Sequence, residues 1–305
     1  MSCQYRTKWL DRQNIYYNKM SIAVVTGASS GIGYSLTDEL AANGFIVYAC
    51  ARRLEPINDL KDRHGPEKIK PYQIDISNNE EIVTFRQFLE SELQNGKVDL
   101  LYNNAGQACS FATLDVTDRI MEDCFKVNVF GHINITRELS KLIINAKGTI
   151  VFTGSIAGIV SFPFMTTYSA TKAAIHQYAR GLHLEMKPFE VRVINAITGG
   201  VETAIAEKRP MPSNSLFNFP EGLEAFKARS KKVQKMSSSQ YAKQMVKVIM
   251  NSNDPVDVYK GSFAMIARVL ALFVPMWVLN KLLYKFNKLD KVESSIKQKG
   301  AKKSL

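Results

Sequence analysis

From residue 22 onward, short apolar runs alternate with longer stretches of helical period. Ile22–Thr26, Ile46–Ala51, Ile69–Ile74, Val98–Tyr102, Thr149–Thr153 and Val191–Ala196 are β-branched or almost continuously apolar, the pattern of strands buried on both faces. Between them Ser35–Asn43, Glu80–Gln94, Asp118–Ile144 and Tyr168–Met186 carry apolar residues at helical spacing, and Val256–Lys260 fits a last short strand. This alternation predicts an α/β fold, a Rossmann-like doubly wound parallel sheet with helices on both faces. Residues 200–240 break the rhythm with Pro210, Pro212, Asn214, Pro220, Lys231 and Lys232. An irregular stretch just after a strand end reads as a substrate lid.

After Gly261 the pattern changes again. Phe263 to Leu279 is apolar except for Arg268, and Pro275 interrupts it. The run is shorter than the roughly 20 residues a spanning helix needs. Trp277, Tyr284 and a lysine-rich tail have the character of an interface anchor, so monotopic insertion or a short hairpin is expected; a helix that buries itself in an oligomer is the alternative. The expected organisation is a polar extension over 1–20, a catalytic domain over 21–261 with its lid at 200–240, and a membrane-associating helical extension with a basic tail over 262–305.

Charge sharpens this picture. The 305 residues carry 40 Lys and Arg against 28 Asp and Glu, a formal net charge of +12, and half of that surplus lies in residues 281–305. A surplus of this size calls for an anionic partner. No basic, aromatic-interleaved groove pattern appears elsewhere, so nucleic acid is not expected, and the tail is either a membrane-surface patch or a solvated end. Cys3, Cys50, Cys109 and Cys124 form no Cys-x-x-Cys pair and no zinc-spaced cluster, which predicts no metal and a reduced, cytosol-facing protein. Residues 1–20 lack the apolar centre of a secretory signal.

The chemistry begins at Thr26-Gly27-Ala28-Ser29-Ser30-Gly31-Ile32-Gly33, which follows the first strand and opens a helix. Such glycines admit a tight turn and a close pyrophosphate, and the helix N-terminus favours its charge. About 20 residues on, where NAD sites place an acid, this chain has Arg52 and Arg53. Guanidinium groups suit a 2′-phosphate, so the expected cofactor is NADPH/NADP+. Tyr168 and Lys172 stand four apart on one helix face, and an ammonium beside the phenol is expected to lower its pKa so that it exchanges a proton with a carbonyl oxygen.

With Ser155 after the fifth strand, Asn128 in Val127-Asn128-Val129 and Asn103-Asn104-Ala105-Gly106 after the fourth, the set resembles the short-chain dehydrogenase/reductase family over residues 21–261. The resemblance implies that Tyr168 is the general acid in reduction, Lys172 tunes it and holds the nicotinamide ribose, Ser155 binds the substrate carbonyl oxygen, and Asn128 supports a proton-relay water. It implies that Gly27, Ser29, Ser30, Gly31, Ile32, Gly33, Asp75, Asn104, Val201 and Thr203 line the cofactor, and that the chain forms a homo-oligomer. Thr198 stands where the family commonly has proline, which is expected to loosen the nicotinamide-side loop.

The segments Tyr48–Pro56, Phe125–His132 and Ile194–Thr203, with the apolar end and basic tail, are similar to members that reduce the ketone of acyl or alkyl dihydroxyacetone phosphate to a lysophosphatidate-type alcohol. That likeness implies residence at the endoplasmic reticulum membrane and lipid droplets, with the mitochondrial outer membrane a further site. Lys208 and Arg209 are the candidates for the substrate phosphate. Two other readings stay open. Gly27-Ala28-Ser29-Ser30-Gly31 also fits the Gly-x-Ser-x-Gly nucleophile elbow of a triacylglycerol lipase, and a retinol or hydroxysteroid reductase would share the same reacting residues.

Overall fold

A computed structural model describes residues 21–203, 209–228 and 235–303. The extension 1–20, Lys208, Lys231 and Lys232 lie outside the described residues. Seven strands are present among these residues: β1 (Ile22–Thr26), β2 (Ile46–Ala51), β3 (Ile69–Gln73), β4 (Leu100–Asn103), β5 (Thr149–Thr153), β6 (Arg192–Thr198) and β7 (Asp257–Lys260). All pair in parallel, in the order β3-β2-β1-β4-β5-β6-β7.

The two-residue period of each strand divides the core into two layers. Ala23 and Val25 face one side with Leu36 and Leu40 of α1 (Gly31–Ala42), Ile57 and Leu60 of α2 (Glu55–His64), and Met245 and Ile249 of a later helix. Ile22 and Val24 face the other with Phe85 of α3 (Asn79–Glu92), Leu139 of α5 (His132–Ala146) and Ile175 of α6 (Thr166–Met186).

The single helix expected over Asp118–Ile144 is interrupted. It runs as α4 (Asp118–Phe125), a π-turn over Lys126–Gly131, then α5. A Cβ at Gly131 would lie 2.5 Å from the Ile76 carbonyl oxygen, so the chain passes closer to the loop after β3 than a side chain allows.

The 200–240 stretch is not wholly irregular. It contains α7 (Pro220–Ala228), and α8 (Ser238–Met250) starts at its end under a Ser237 cap whose hydroxyl accepts from the Gln240 amide at 3.2 Å. Phe226 and Ala225 of α7 pack on Phe164 and Val292.

The C-terminal stretch forms three helices: α9 (Ala264–Phe273), α10 (Met276–Phe286) and α11 (Leu289–Lys303). Pro275 separates the first two, as its missing N–H requires. Ala267, Leu270, Val274, Leu279 and Leu283 pack on Ile156, Ile159, Val160 and Phe162. Arg268 lies over the Tyr259 ring at 4.9 Å. Lys288 and Lys291 pair with Glu224, which joins α11 to α7. No helix among the described residues is long and apolar enough to cross a membrane.

Candidate active site

The sequence-predicted residues gather at the carboxyl edge of the sheet, where open α/β sheets bind ligands. The turn after β1 needs its glycines. Gly27 and Gly31 have φ of +68° and +54°, and a Cβ on Gly33 would stand 2.2 Å from the Gly27 carbonyl oxygen. Ser30 is the extended N-cap of α1 and its side chain makes no cap bond. Ile32 is buried beneath the turn, and Ser29 is half-buried. The backbone at this end of α1 thus forms a side-chain-free cradle that fits a pyrophosphate.

Asn104 braces the cradle from behind. Its Nδ2 donates to the Thr26 carbonyl oxygen at 3.0 Å, and its backbone amide donates to Thr26 Oγ1 at 2.9 Å. Thr203 reaches the same turn from the other side: a Cβ on Gly31 would meet its side chain at 3.2 Å. Val201 is buried and bridged to Met236. Thr198 is tied into the fold at the base of this loop. It is buried, and its hydroxyl lies 2.7 Å from the Tyr241 hydroxyl, while the Gly199 amide donates to the Lys260 carbonyl at 2.8 Å.

Arg52 and Arg53 project exposed beyond β2. Arg52 stands 3.8 Å from Asp75, whose carboxylate also accepts from the Ser77 amide at 2.9 Å. Two exposed guanidinium groups after β2, one of them beside an acid, suit a phosphorylated ribose.

The reacting residues meet beyond β4 and β5. Ser155 follows β5, and its Oγ accepts from the Ala157 amide at 3.1 Å, capping the 3₁₀ turn Ile156–Gly158. The Ser155 side chain lies near enough to the phenol of Tyr168 to favour its ionised form. Lys172 is 2% exposed, lies 5.8 Å from the centre of the Tyr168 ring, and donates from Nζ to the Thr153 carbonyl at 2.7 Å.

The expected depression of the phenol pKa is not what this geometry gives. Burial pushes Tyr168 up to about 12, against the lowering effect of Ser155, and burial lowers Lys172 to about 8. Burial opposes phenolate and ammonium alike, so it moves the two groups in opposite directions. The phenol therefore holds its proton at neutral pH, as a donor to a carbonyl oxygen must.

Asn128 is fully buried on the π-turn. Its Oδ1 accepts from the Gln107 amide at 2.9 Å, and its Nδ2 donates to the Gln107 carbonyl at 3.1 Å and to Thr171 Oγ1 at 3.2 Å. Thr171 in turn donates to the Tyr168 carbonyl at 2.7 Å. Sequence reading missed Thr171, although its place one residue before Lys172 put it on the same helix. Arg209 is exposed and lies over the Phe111 ring at 4.7 Å. No group of His, Cys, Asp and Glu suited to a metal occurs among the described residues.

A serine nucleophile at Ser29 would need a base held by an acid. Among the described residues no histidine hydrogen-bonds Ser29: His64 is held by Asp38 at 2.7 Å, His132 lies against the Ala105 carbonyl at 2.7 Å, His176 against the Ser155 amide at 3.0 Å and His183 against the Val193 carbonyl at 2.9 Å. The esterase-like elbow is therefore a phosphate turn in geometry.

A family model described as short chain dehydrogenase matches residues 21–213. The chain belongs to the short-chain dehydrogenase family. It is 64% identical over 281 residues to the NADPH-dependent 1-acyldihydroxyacetone phosphate reductase of Saccharomyces cerevisiae, covering 91% of this chain and 95% of that protein. Among solved structures, a short-chain dehydrogenase from Streptomyces avermitilis aligns with a TM-score of 0.73 and 27% identity, over 90% of this chain and 99% of that one. A Burkholderia cenocepacia short chain dehydrogenase in complex with NADP aligns with a TM-score of 0.68 and 28% identity, over 87% and 98% of the two chains.

Proposed function

We propose that this member of the family reduces the ketone of 1-acyl or alkyl dihydroxyacetone phosphate to 1-acylglycerol 3-phosphate or its ether analogue, with NADPH. The observation that carries the reading is the meeting of Ser155, Tyr168 and Lys172 beside the glycine cradle, in a chain 64% identical to a reductase of that name.

NADPH supplies a hydride when bound. The residues that would hold it are the Gly27–Gly33 turn at the pyrophosphate, Arg52 and Arg53 at the 2′-phosphate, Asp75 near the adenine, and Lys172 with Val201 and Thr203 toward the nicotinamide. Ser155 and Tyr168 orient the carbonyl oxygen, and Tyr168 gives it the proton. The buried ammonium of Lys172 stabilises negative charge that develops there. Arg209, with Lys208 beside it in sequence, meets the substrate phosphate.

The C-terminal helices seat the enzyme on a lipid surface, at the endoplasmic reticulum and lipid droplets. Support comes from Leu272, Phe273 and Trp277, which are 65%, 78% and 72% exposed, and from the lysines that follow them. The test is a substrate panel with NADPH and NADH on the full chain, using 1-acyl dihydroxyacetone phosphate, retinal and a ketosteroid. Preferred turnover of the lipid phosphate with NADPH is expected; equal or better turnover of retinal or the steroid overturns the substrate assignment.

A further inference from the structure

Helix α6 carries Tyr168, Lys172 and His176 at successive turns, four residues apart, so the three share one face. His176 is 2% exposed, and its Nε2 accepts the backbone N–H of Ser155 at 3.0 Å. The turn that bears Ser155 closes on the imidazole from two sides. A Cβ on Gly154 would stand 2.5 Å from Nε2, and one on Gly158 would stand 2.6 Å from Cε1. Both positions admit the ring because they lack side chains.

Since Nε2 is the acceptor, the ring proton sits on Nδ1, which has no hydrogen-bond partner. An unpaired buried donor is a cost that an apolar side chain of similar size would remove. Burial, with the charges of Lys172 and Arg180 outweighing Asp257, lowers the imidazole pKa to about 4, so the acceptor lone pair persists at neutral pH.

We propose that His176 is a positioning residue for Ser155. It fixes the serine's main chain while the Ala157 amide occupies one lone pair of Oγ, which leaves the hydroxyl proton aimed at the reacting oxygen. This rests on the reading of Ser155 as a carbonyl-binding residue.

The test uses the full chain with NADPH and 1-palmitoyl dihydroxyacetone phosphate, and compares His176→Leu, His176→Asn, His176→Gln, Ser155→Ala and the double variant His176→Leu with Ser155→Ala. His176→Leu lacks the acceptor, and His176→Asn holds its oxygen too short to reach. Both are expected to lower kcat by about 10- to 100-fold, as misplacement near 1 Å does, with NADPH affinity and Tm near wild type. If one of the two fails to fold, the other carries the expectation. His176→Gln, whose Oε1 can take the place of Nε2, is expected to recover most of kcat. In the Ser155→Ala background the leucine substitution is expected to cost nothing further, since the two residues act as a unit.

Losses that multiply in the double variant, or a glutamine variant as slow as the leucine one while folded, overturn the proposal. Wild-type kcat in His176→Leu beside a slow Ser155→Ala overturns it alone. Full activity of Ser155→Ala overturns the reading of the site and the proposal together.

Discussion

Alanine at Gly33 tests the cradle most directly. The added Cβ would lie 2.2 Å from the Gly27 carbonyl oxygen, 2.5 Å from Asn104 Nδ2 and 2.8 Å from the Gly27 carbonyl carbon. Comfortable contacts of this kind begin near roughly 3.5 Å, so the turn must retreat by about 1 Å. Two of the three obstacles are backbone, which cannot rotate away, and the third is the amide that ties Asn104 to the Thr26 carbonyl. Overpacking of this sort costs about 1–3 kcal/mol. Charged to cofactor binding, that is about a 5- to 150-fold weaker NADPH complex. Fluorescence titration of NADPH against the folded variant reads it, with Tm measured alongside. Gly181→Ala is the control, because nothing lies within 4 Å of its Cβ and its site is the interior of α6. Wild-type NADPH affinity in a stable Gly33→Ala would refute the cradle.

Gly181→Ala itself is expected to stabilise the fold by about 0.5–1 kcal/mol in urea melts. Replacing Arg52 and Arg53 by alanine should raise the KM for NADPH by about 10-fold or more and leave that for NADH within a few-fold; equal loss on both cofactors would count against a 2′-phosphate contact. The pH profile of kcat should show an alkaline limb near pH 8 as Lys172 loses its proton, while Tyr168 remains protonated to about 12; an unchanged rate at pH 10 would exclude a role for that charge. Because the folded pKa of Lys172 lies below its ordinary 10.5, the folded chain binds fewer protons than the unfolded one between about 8 and 10.5, and this group makes stability rise with pH across that window. Changing exposed Leu272, Phe273 and Trp277 to serine should release the protein from vesicles containing anionic lipid with Tm unchanged; full retention would assign docking to another surface.

The central strands β1, β2, β4 and β5 were legible because they are buried almost throughout, and the glycine turn because only a strand-to-helix position gives its spacing meaning. Other features were hidden by competing signals. α2 shows only Ile57 and Leu60 as buried apolar residues and begins with Pro56 in its first turn, so its periodicity is faint, although proline there is a start signal. The π-turn left no mark on the apolar period of Asp118–Ile144, and the close approach of its Gly131 to Ile76 is a long-range contact that a local period does not show. α7 was masked by Pro and Gly, and it is held from outside by Lys288 and Phe164. The reacting residues were legible as motifs, whereas the dominance of desolvation at Tyr168 depends on burial, which a spacing does not carry. His176 sat in plain view four residues past Lys172, but its acceptor role needs the folded position of Ser155.

The short turn Ile156–Gly158 is pressed from inside by an imidazole and lies in one apolar cluster with α9 and α10 on the outside. The helices near the chain's far end therefore pack on the very turn that Ser155 caps, which makes them neighbours of the candidate reaction site.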